Sequence, residues 1–271
     1  MAKPIDGMIC YLYGGLGNQM FMASAAFIVN KVKKYTINFL LREPSAHNIK
    51  NINYHDILFK NIGKEIVMTQ DNLIELIIKK YEVPIYKSPF VEWDYNVIKE
   101  RTIFSWALFQ YYPPIKQFET EIRESYLAQL EPYRIKLCRE RDFSGQSFLH
   151  IRRGDYLKRP KYHFNLGLDY YKKAMSILNP VRKVLIVTDD VDWVKKDKYF
   201  STNIFEVFEG DEIESMALMT LCKQGAICAN STFSWWGAFL GSHADRNTVI
   251  VPNKWINEKI VCLFPEEWTV I

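Results

Sequence analysis

Residues 148–156 read FLHIRRGDY, a short apolar run that passes directly into two arginines, a glycine and an aspartate. A buried strand that ends at a site has this form, because polar groups follow immediately after its last paired residues. The run therefore predicts a strand inside a sheet, with a binding or catalytic site at its carboxyl end.

Five neighbouring residues in this run suit an anionic ligand: His150, Arg152, Arg153, Gly154 and Asp155. An arginine can bind a diphosphate through two parallel hydrogen bonds, and its charge does not titrate away. The glycine permits a sharp turn, while the histidine and aspartate add an imidazole and a carboxylate. The alternative is a solvated strand end whose arginines pair with surface acids. That alternative explains any one of these residues better than it explains all five together.

Two further polar clusters follow predicted strands in the second half of the chain, TDD at 188–190 and NSTFS at 230–234. Strands there, among them 147–151 and 184–187, alternate with helical segments, which predicts a parallel sheet with crossover helices. Ligands bind at the carboxyl ends of the strands in such a sheet. The candidate contacts in these clusters are Asp189, Asn230, Ser231, Thr232 and Phe233.

The cluster at 230–234 also opens a helix, where backbone N–H groups favour an anion. Its hydroxyl groups can donate to phosphate oxygens, and capping of the helix alone is the equally frequent alternative. Trp235 and Trp236 follow within the same helix and are predicted to lie in the core. The triplet Asn230-Ser231-Thr232 matches a glycosylation sequon, but its apolar strand-to-helix setting gives that match no weight.

The first half begins with one β-α-β unit. An apolar run at 8–13 is closed by GGLGN at 14–18, a helix follows with Met20, Phe21, Ser24, Phe27 and Ile28 on one face, and 35–41 is a second strand. The glycine turn lacks the last glycine of the dinucleotide fingerprint. Farther on, the patterns predict a helix at 71–81, an extended segment at 83–93 and a long helix at 115–139. The domain boundary is predicted near 141–146.

Composition excludes several classes of protein. The chain has 271 residues, 48% of them hydrophobic, with a net charge of +4, which suits a small anionic ligand and falls short of a nucleic-acid footprint. Its five cysteines form no Cys-x-x-Cys pair, so free thiols in a reducing compartment are expected. No signal peptide or membrane span is evident. A soluble, cytoplasmic protein is expected, and peripheral association with a membrane is left open.

Asp190-Val191-Asp192 matches the Asp-x-Asp pattern with which many sugar-nucleotide enzymes hold a divalent metal. Three-residue matches are common, and the aspartates can equally cap or charge the next helix. No other set of His, Cys, Asp and Glu has the spacing of a metal site. No metal ligand is therefore assigned.

Three blocks of the sequence resemble the signature blocks of the α-1,2-fucosyltransferases, the glycosyltransferases of family 11. They are GGLGNQMF at 14–21, HIRRGDY at 150–156 and ANSTFSWWGA at 229–238. Weaker matches, FQY at 109–111, YY at 170–171, TDD at 188–190 and PNKW at 252–255, occur in family order, so that the resemblance covers nearly the whole chain.

The resemblance implies an α/β fold of the GT-B type, with two Rossmann-like domains whose parallel sheets face a central cleft. Residues 1–140 would form the acceptor side and 141–271 the GDP-fucose side. It also implies inverting transfer from GDP-fucose without a metal or other cofactor. Arg152 resembles the arginine on the donor pyrophosphate, His150 lies at a nucleotide contact, and Asn18 resembles an asparagine that faces the fucose and the acceptor. Ser231, Thr232 and Phe233 match the block around the phosphates and base.

The remaining candidate residues are Gly15 and Gly17 in the glycine turn and Glu214. The family often has an aspartate that binds guanine at the start of the helix before the last block. This chain has Ser215 near that place, with Glu214 beside it. Asp155 is the first candidate for the base that accepts the acceptor's proton, followed by Glu92 and His163. Asp155 can equally be a structural partner of an arginine.

The predicted function is transfer of L-fucose to the 2-hydroxyl of a terminal sugar on a glycan acceptor that the sequence does not identify, with galactose as the expected terminal sugar. The alternatives are a metal-dependent sugar-nucleotide transferase using Asp190 and Asp192, and a non-catalytic nucleotide- or glycan-binding relative.

Overall fold

The computed structural model describes residues 7–41, 52–66, 92–100, 102–104, 108–178, 183–241, 248–256 and 262–271. The chain divides into two compact units, the first comprising Met1–Gln129 with Val261–Leu263 and the second comprising Leu130–Ile260 with Phe264–Ile271. The sequence places the boundary near 141–146, about a dozen residues later. The helix predicted at 71–81 and most of the extended segment at 83–93 lie outside the described residues.

The first unit contains a four-stranded parallel sheet in the order β3-β2-β1-β4. Its strands are β1 (Met8–Leu12), β2 (Ile37–Leu41), β3 (Lys64–Ile66) and β4 (Ile103–Phe104). Every residue of β1 is buried, as expected of a central strand with both faces covered. From β1 the chain continues to β2 and β3 on one side, and β4 then pairs on the other side of β1. The order of strands therefore reverses between β1 and β4.

Helix α1 (Leu16–Lys33) joins β1 to β2, so the predicted β-α-β unit is confirmed. The helix is buried over more than the one predicted face, because Met22, Ala23 and Ala25 are also in the core, whereas Phe27 is only partly buried. It ends at Lys34, whose left-handed conformation (φ 62°) lets its N–H donate to the Asn30 carbonyl.

The long helix predicted at 115–139 is two helices, α2 (Tyr112–Gln117) and α3 (Glu119–Glu140). Phe118 separates them with non-helical dihedral angles, φ −120° and ψ 25°. The two prolines at the start of α2 occupy its first turn, where a missing N–H costs little. Tyr126 of α3 is fully buried and donates from its hydroxyl to the Met20 carbonyl. That bond ties α3 to α1.

The second unit contains a six-stranded parallel sheet in the order β10-β9-β8-β5-β6-β7. Its strands are β5 (Gln146–Ile151), β6 (Lys183–Thr188), β7 (Phe205–Val207), β8 (Gly225–Ile227), β9 (Val249–Val251) and β10 (Thr269–Val270). The chain runs outward from β5 to β6 and β7 and returns on the other side of β5 as β8. The order of strands reverses between β5 and β8, which is where open parallel sheets bind ligands.

Four helices connect these strands: α4 (Leu168–Ile177), α5 (Val191–Lys196), α6 (Glu212–Leu221) and α7 (Thr232–Gly241). Trp235 and Trp236 of α7 are fully buried, which confirms that they belong to the core. Gly237 allows α7 to approach α6, since a Cβ atom there would lie 2.7 Å from Met219. Among the described residues, no helix combines the length and the apolar character needed to cross a membrane.

Candidate active site

Arg152 follows the last residue of β5 and is held between two carboxylates. Its Nη2 atom lies 2.5 Å from Asp155 Oδ1, and its Nη1 atom lies 3.0 Å from Asp189 Oδ2. All three side chains are half-buried, with 22%, 31% and 26% of their surface exposed. The guanidinium group is therefore fixed in orientation at the carboxyl edge of the sheet.

Asp189 braces both predicted arginines. Its Oδ1 accepts a hydrogen bond from the Arg153 backbone N–H (2.9 Å), while its Oδ2 binds Arg152. A Cβ atom on Gly154 would lie only 2.7 Å from Asp189 Oδ2, so this carboxylate explains the glycine. Asp189 was predicted to contact the nucleotide sugar, and in the structure it contacts Arg152 and the Arg153 backbone.

Arg153 points to a different carboxylate. Its Nε donates to Asp190 Oδ2 (3.1 Å), and its guanidinium lies 4.3 Å above the ring of Trp193. The other oxygen of Asp190 accepts from the Trp193 backbone N–H and caps α5. Both oxygens of Asp190 are thus engaged. Within the described ranges, no set of three His, Cys, Asp or Glu side chains is placed to hold a metal ion.

His150 is buried in β5 with 3% of its surface exposed, and its ring lies 5.6 Å from that of Phe233. Burial, and secondarily the charge of Arg152, lower the pKa of His150 to about 3. The imidazole is therefore neutral at physiological pH. No protein group in the described structure accepts from or donates to its Nδ1 atom.

Asn230 ties three segments together at the carboxyl end of β8. Its Nδ2 donates to the carbonyls of Phe164 and Trp255, each at 2.7 Å, and its own backbone carbonyl accepts from the Tyr156 hydroxyl at 2.9 Å. With 1% of its surface exposed, its side chain braces the loops of the site. Tyr156 in turn stacks on His163 with ring centres 3.8 Å apart.

The hydroxyl groups at the start of α7 bond locally. Ser231 Oγ accepts from the Phe233 N–H (3.4 Å), and Ser234 Oγ donates to the Ser231 carbonyl (3.2 Å). Ser231 thus has the predicted capping role, while contact of Ser231, Thr232 and Phe233 with a nucleotide stays a prediction.

Glu214 belongs to a capping box at the start of α6. Asp211 accepts from the N–H groups of Ile213 and Glu214, and Glu214 Oε2 accepts from the Asp211 N–H. Its other oxygen lies 2.7 Å from Lys136 Nζ. Ser215 beside it is buried. The local contacts of Glu214 are those of a structural residue, and the predicted contact with guanine stays a prediction.

In the first unit, the predicted residues of the glycine turn lie between β1 and α1. Gly14 has φ +78°, a left-handed conformation that favours glycine. Gly15 caps α1, and a Cβ atom there would meet nothing within 4 Å. Gly17 and Asn18 lie in the first turn of α1, and Asn18 Oδ1 accepts from Gln110 Nε2 at 3.0 Å. Gln110 was not among the predicted site residues, although the weak match at 109–111 was a signal for it.

The fold therefore brings His150, Arg152, Arg153, Asp155, Asp189 and the 230–233 segment to the carboxyl ends of adjacent strands β8, β5 and β6. Gly15, Gly17 and Asn18 form the equivalent edge of the other sheet. The contact of Asp155 with Arg152 agrees with a structural role as an arginine partner. This contact does not decide whether Asp155, Glu92 or His163 is the catalytic base.

An open parallel α/β sheet binds its ligand where the strand order reverses, and known structures share this fold. A fucosyltransferase from Bradyrhizobium, NodZ, superimposes with a TM-score of 0.51 and 12% identity, over 86% of this chain and 93% of its own. The α/β fold of the GT-B type is thereby confirmed.

The model of Glycosyl transferase family 11 matches residues 8–271, and the chain belongs to that family. A relative from Escherichia coli, the O-antigen biosynthesis glycosyltransferase WbnK, is 29% identical over 92% of this chain and 94% of its own length. An alpha-1,2-colitosyltransferase from the same organism is 25% identical over 97% and 98%, respectively. The chain is a glycosyltransferase of this family.

Proposed function

We propose that the chain transfers L-fucose from GDP-fucose, with inversion, to the 2-hydroxyl of a terminal galactose on a glycan acceptor, without a metal ion. The observation that carries the proposal is Arg152, fixed by two carboxylates at the carboxyl end of β5. Membership of the family supports the class of reaction.

In this reaction the bond between fucose C1 and the β-phosphate oxygen breaks while the acceptor oxygen bonds to C1 from the opposite face. Negative charge grows on the β-phosphate as GDP leaves. A guanidinium group already fixed in orientation stabilises that charge without reorganising, as a metal ion does in other transferases. The N–H groups at the start of α7 favour negative charge at the same edge.

The acceptor hydroxyl must lose a proton as it attacks. Asp155 is the proposed acceptor of that proton, with Glu92 and His163 as alternatives. For Asp155 to act as the base, one of its oxygens must be accessible to the acceptor while the other contacts Arg152. Turnover of Asp155→Asn, Glu92→Gln and His163→Gln is compared to distinguish the three candidates.

The test of the proposal compares two arginines of the second unit. Arg152→Ala is expected to lower kcat/KM for fucosyl transfer by about 10²- to 10³-fold, as removal of one transition-state donor commonly does. Arg152→Lys should recover only part of the loss, because an ammonium group cannot contact two carboxylates through a planar fork. Folding is checked by circular dichroism and thermal unfolding.

Arg141→Ala is the matched control. Arg141 also forms an ion pair, at 2.8 Å with Glu206, and has similar exposure, but it precedes β5 and so lies away from the carboxyl edge. Its loss should leave turnover within about twofold of the parent, as for most exposed ion pairs. Full turnover in Arg152→Ala would defeat the assignment.

The metal requirement is tested with EDTA, which is expected to leave the rate unchanged. Strict dependence on Mn²⁺ would instead favour a metal-dependent transferase that uses Asp190 and Asp192.

A second candidate donor is a GDP-linked colitose, favoured by the relative named an alpha-1,2-colitosyltransferase, which aligns with 97% of this chain. Colitose is fucose without its 3-hydroxyl, so the two donors differ by one hydrogen-bonding group. Paired turnover measurements with both donors, across a panel of acceptors ending in galactose and other sugars, followed by linkage analysis of the product, decide between them. Binding of GDP without turnover of either donor would favour the non-catalytic alternative.

A further inference from the structure

Gln110 and Asn18 are joined by a hydrogen bond at the reversal of strand order in the first sheet. Gln110 Nε2 donates to Asn18 Oδ1 at 3.0 Å, although the residues are 92 positions apart. Asn18 belongs to the turn after β1, and Gln110 follows β4, the strand beside β1. Only 3% of Gln110 is exposed, so its amide is committed to the interior of the unit.

The backbone just before Gln110 is strained. Phe109 has φ +51°, a left-handed conformation that is unusual for a bulky side chain. Its ring is buried, with centres 4.5 Å from Phe104 and 5.3 Å from Trp93. The Tyr111 N–H donates to the Phe109 carbonyl at 2.8 Å. Such strain persists only where surrounding packing maintains it, and here it sets the direction of Gln110.

The other end of the Asn18 amide faces the glycine turn. A Cβ atom on Gly14 would lie 3.1 Å from Asn18 Nδ2, so the nitrogen is on the Gly14 side and the oxygen is on the Gln110 side. The Gly14 carbonyl is itself held by Gln19 Nε2 at 2.9 Å. The Asn18 amide is therefore held by Gln110 on its oxygen side and lies beside Gly14 on its nitrogen side.

We propose that Gln110 is a positioning residue that fixes the orientation of the Asn18 side-chain amide with respect to the reacting sugars. The inference rests on the proposed function, and it gives Asn18 the place facing the fucose and the acceptor that the family resemblance implies. Gln110 acts only through Asn18: a donor at position 110 holds the oxygen, and an acceptor there would attract the nitrogen and reverse the amide.

Two substitutions of Gln110 separate these effects. Gln110→Glu replaces the donor by an acceptor and is expected to reverse the amide, lowering kcat for fucosyl transfer by about tenfold or more. Gln110→Met keeps the shape without the hydrogen bond and should lower kcat by less, about two- to fivefold. KM for GDP-fucose should change less than kcat in both variants. If Gln110→Glu does not fold, Gln110→Met alone decides the question.

The decisive readout is a double-mutant cycle with Asn18→Ala. In that background either change at Gln110 should alter kcat by less than about twofold, because the residue through which it acts is absent. A merely structural role would lower the unfolding temperature and the activity equally in both backgrounds. Gln117→Met is the matched control, since Gln117 is an exposed glutamine of the same unit that accepts from the Tyr95 hydroxyl.

Unchanged kcat in Gln110→Met and in folded Gln110→Glu, or equal losses in both backgrounds, overturns the inference and leaves the proposed function intact. Absence of fucosyl transfer by the parent chain overturns the proposed function, and this inference with it.

Discussion

Arg152 shows at the level of one residue why this position requires an arginine. Two carboxylates contact two different nitrogens of its guanidinium, at 2.5 and 3.0 Å, and an ammonium group has no second nitrogen to offer. In the proposed function, this guanidinium group is held in place by two acids before the phosphate of the donor arrives. Preorganisation of this kind is the usual source of electrostatic stabilisation in enzymes.

His150 gives a prediction for stability as a function of pH. Its pKa is about 3 in the folded chain against an ordinary 6.5, so that below pH 6.5 the unfolded chain takes up a proton that the folded chain does not. The stability associated with the neutral ring is present above pH 6.5 and is lost as pH falls toward 3. At pH 5 the loss is about 2 kcal/mol, from 1.36 kcal/mol per pH unit.

The measurement is urea unfolding of the parent and of His150→Gln between pH 7.5 and pH 5. The parent should lose about 2 kcal/mol more than the variant over this range. If the free energies of unfolding of the two proteins change equally with pH, His150 is protonated as readily in the folded chain as in the unfolded chain.

At the level of the element, the clearest case is the start of α6. Asp211 accepts from two backbone N–H groups at 2.9 Å each, and Glu214 returns a bond to the Asp211 N–H. The sequence Asp-Glu-Ile-Glu has the form of a capping box. This pattern explains Glu214 by a local role, whereas the family resemblance implies a contact with guanine.

Asp211→Ala is therefore expected to lower the free energy of unfolding by about 1–2 kcal/mol, because two N–H groups of α6 lose their acceptor. Asp197→Ala is the comparison, since Asp197 caps only the single helical turn Lys198–Ser201. Its loss should cost less. Chemical denaturation of both variants measures the difference, and an equal cost would show that the length of the capped element does not matter here.

Across the whole molecule, the two units use one topology. In each sheet the chain moves outward from a central strand, β1 or β5, and returns on that strand's other side as β4 or β8. Each unit thus has a reversal of strand order with polar residues at the carboxyl ends, and in the proposed function the second unit holds the donor and the first holds the acceptor.

Hydrogen exchange in the presence of saturating GDP tests this division. Backbone amides at the carboxyl ends of β5, β6 and β8 and at the start of α7 should gain protection, because bound ligand suppresses local opening. Amides of β1–β4 should not change, and Arg152→Ala should abolish the protection. Protection centred on the glycine turn of the first unit would contradict this division, because the nucleotide would then bind the first unit.

Local patterns were sufficient for most elements of the fold. The apolar runs at 8–13, 147–151 and 184–187 predicted β1, β5 and β6 within one or two residues, because a fully buried strand is apolar along its length. Short strands such as β4 and β10, with two residues each, carry too little pattern to be recognised. Phe118 interrupts the long helix, and no glycine beside it and no proline directly after it marks the break.

The sequence by itself determined the succession of most strands and helices along the chain, the polar clusters that follow β5, β6 and β8, and the family. All of these are encoded in contiguous residues. Tertiary structure alone decided which side chains meet. Asp189 reaches Arg152 because β6 pairs with β5, and Gln110 reaches Asn18 because β4 pairs with β1. The physical reason is that hydrogen-bonding partners distant in the chain are chosen by strand order, which is set by the packing of the whole sheet and not by any local pattern.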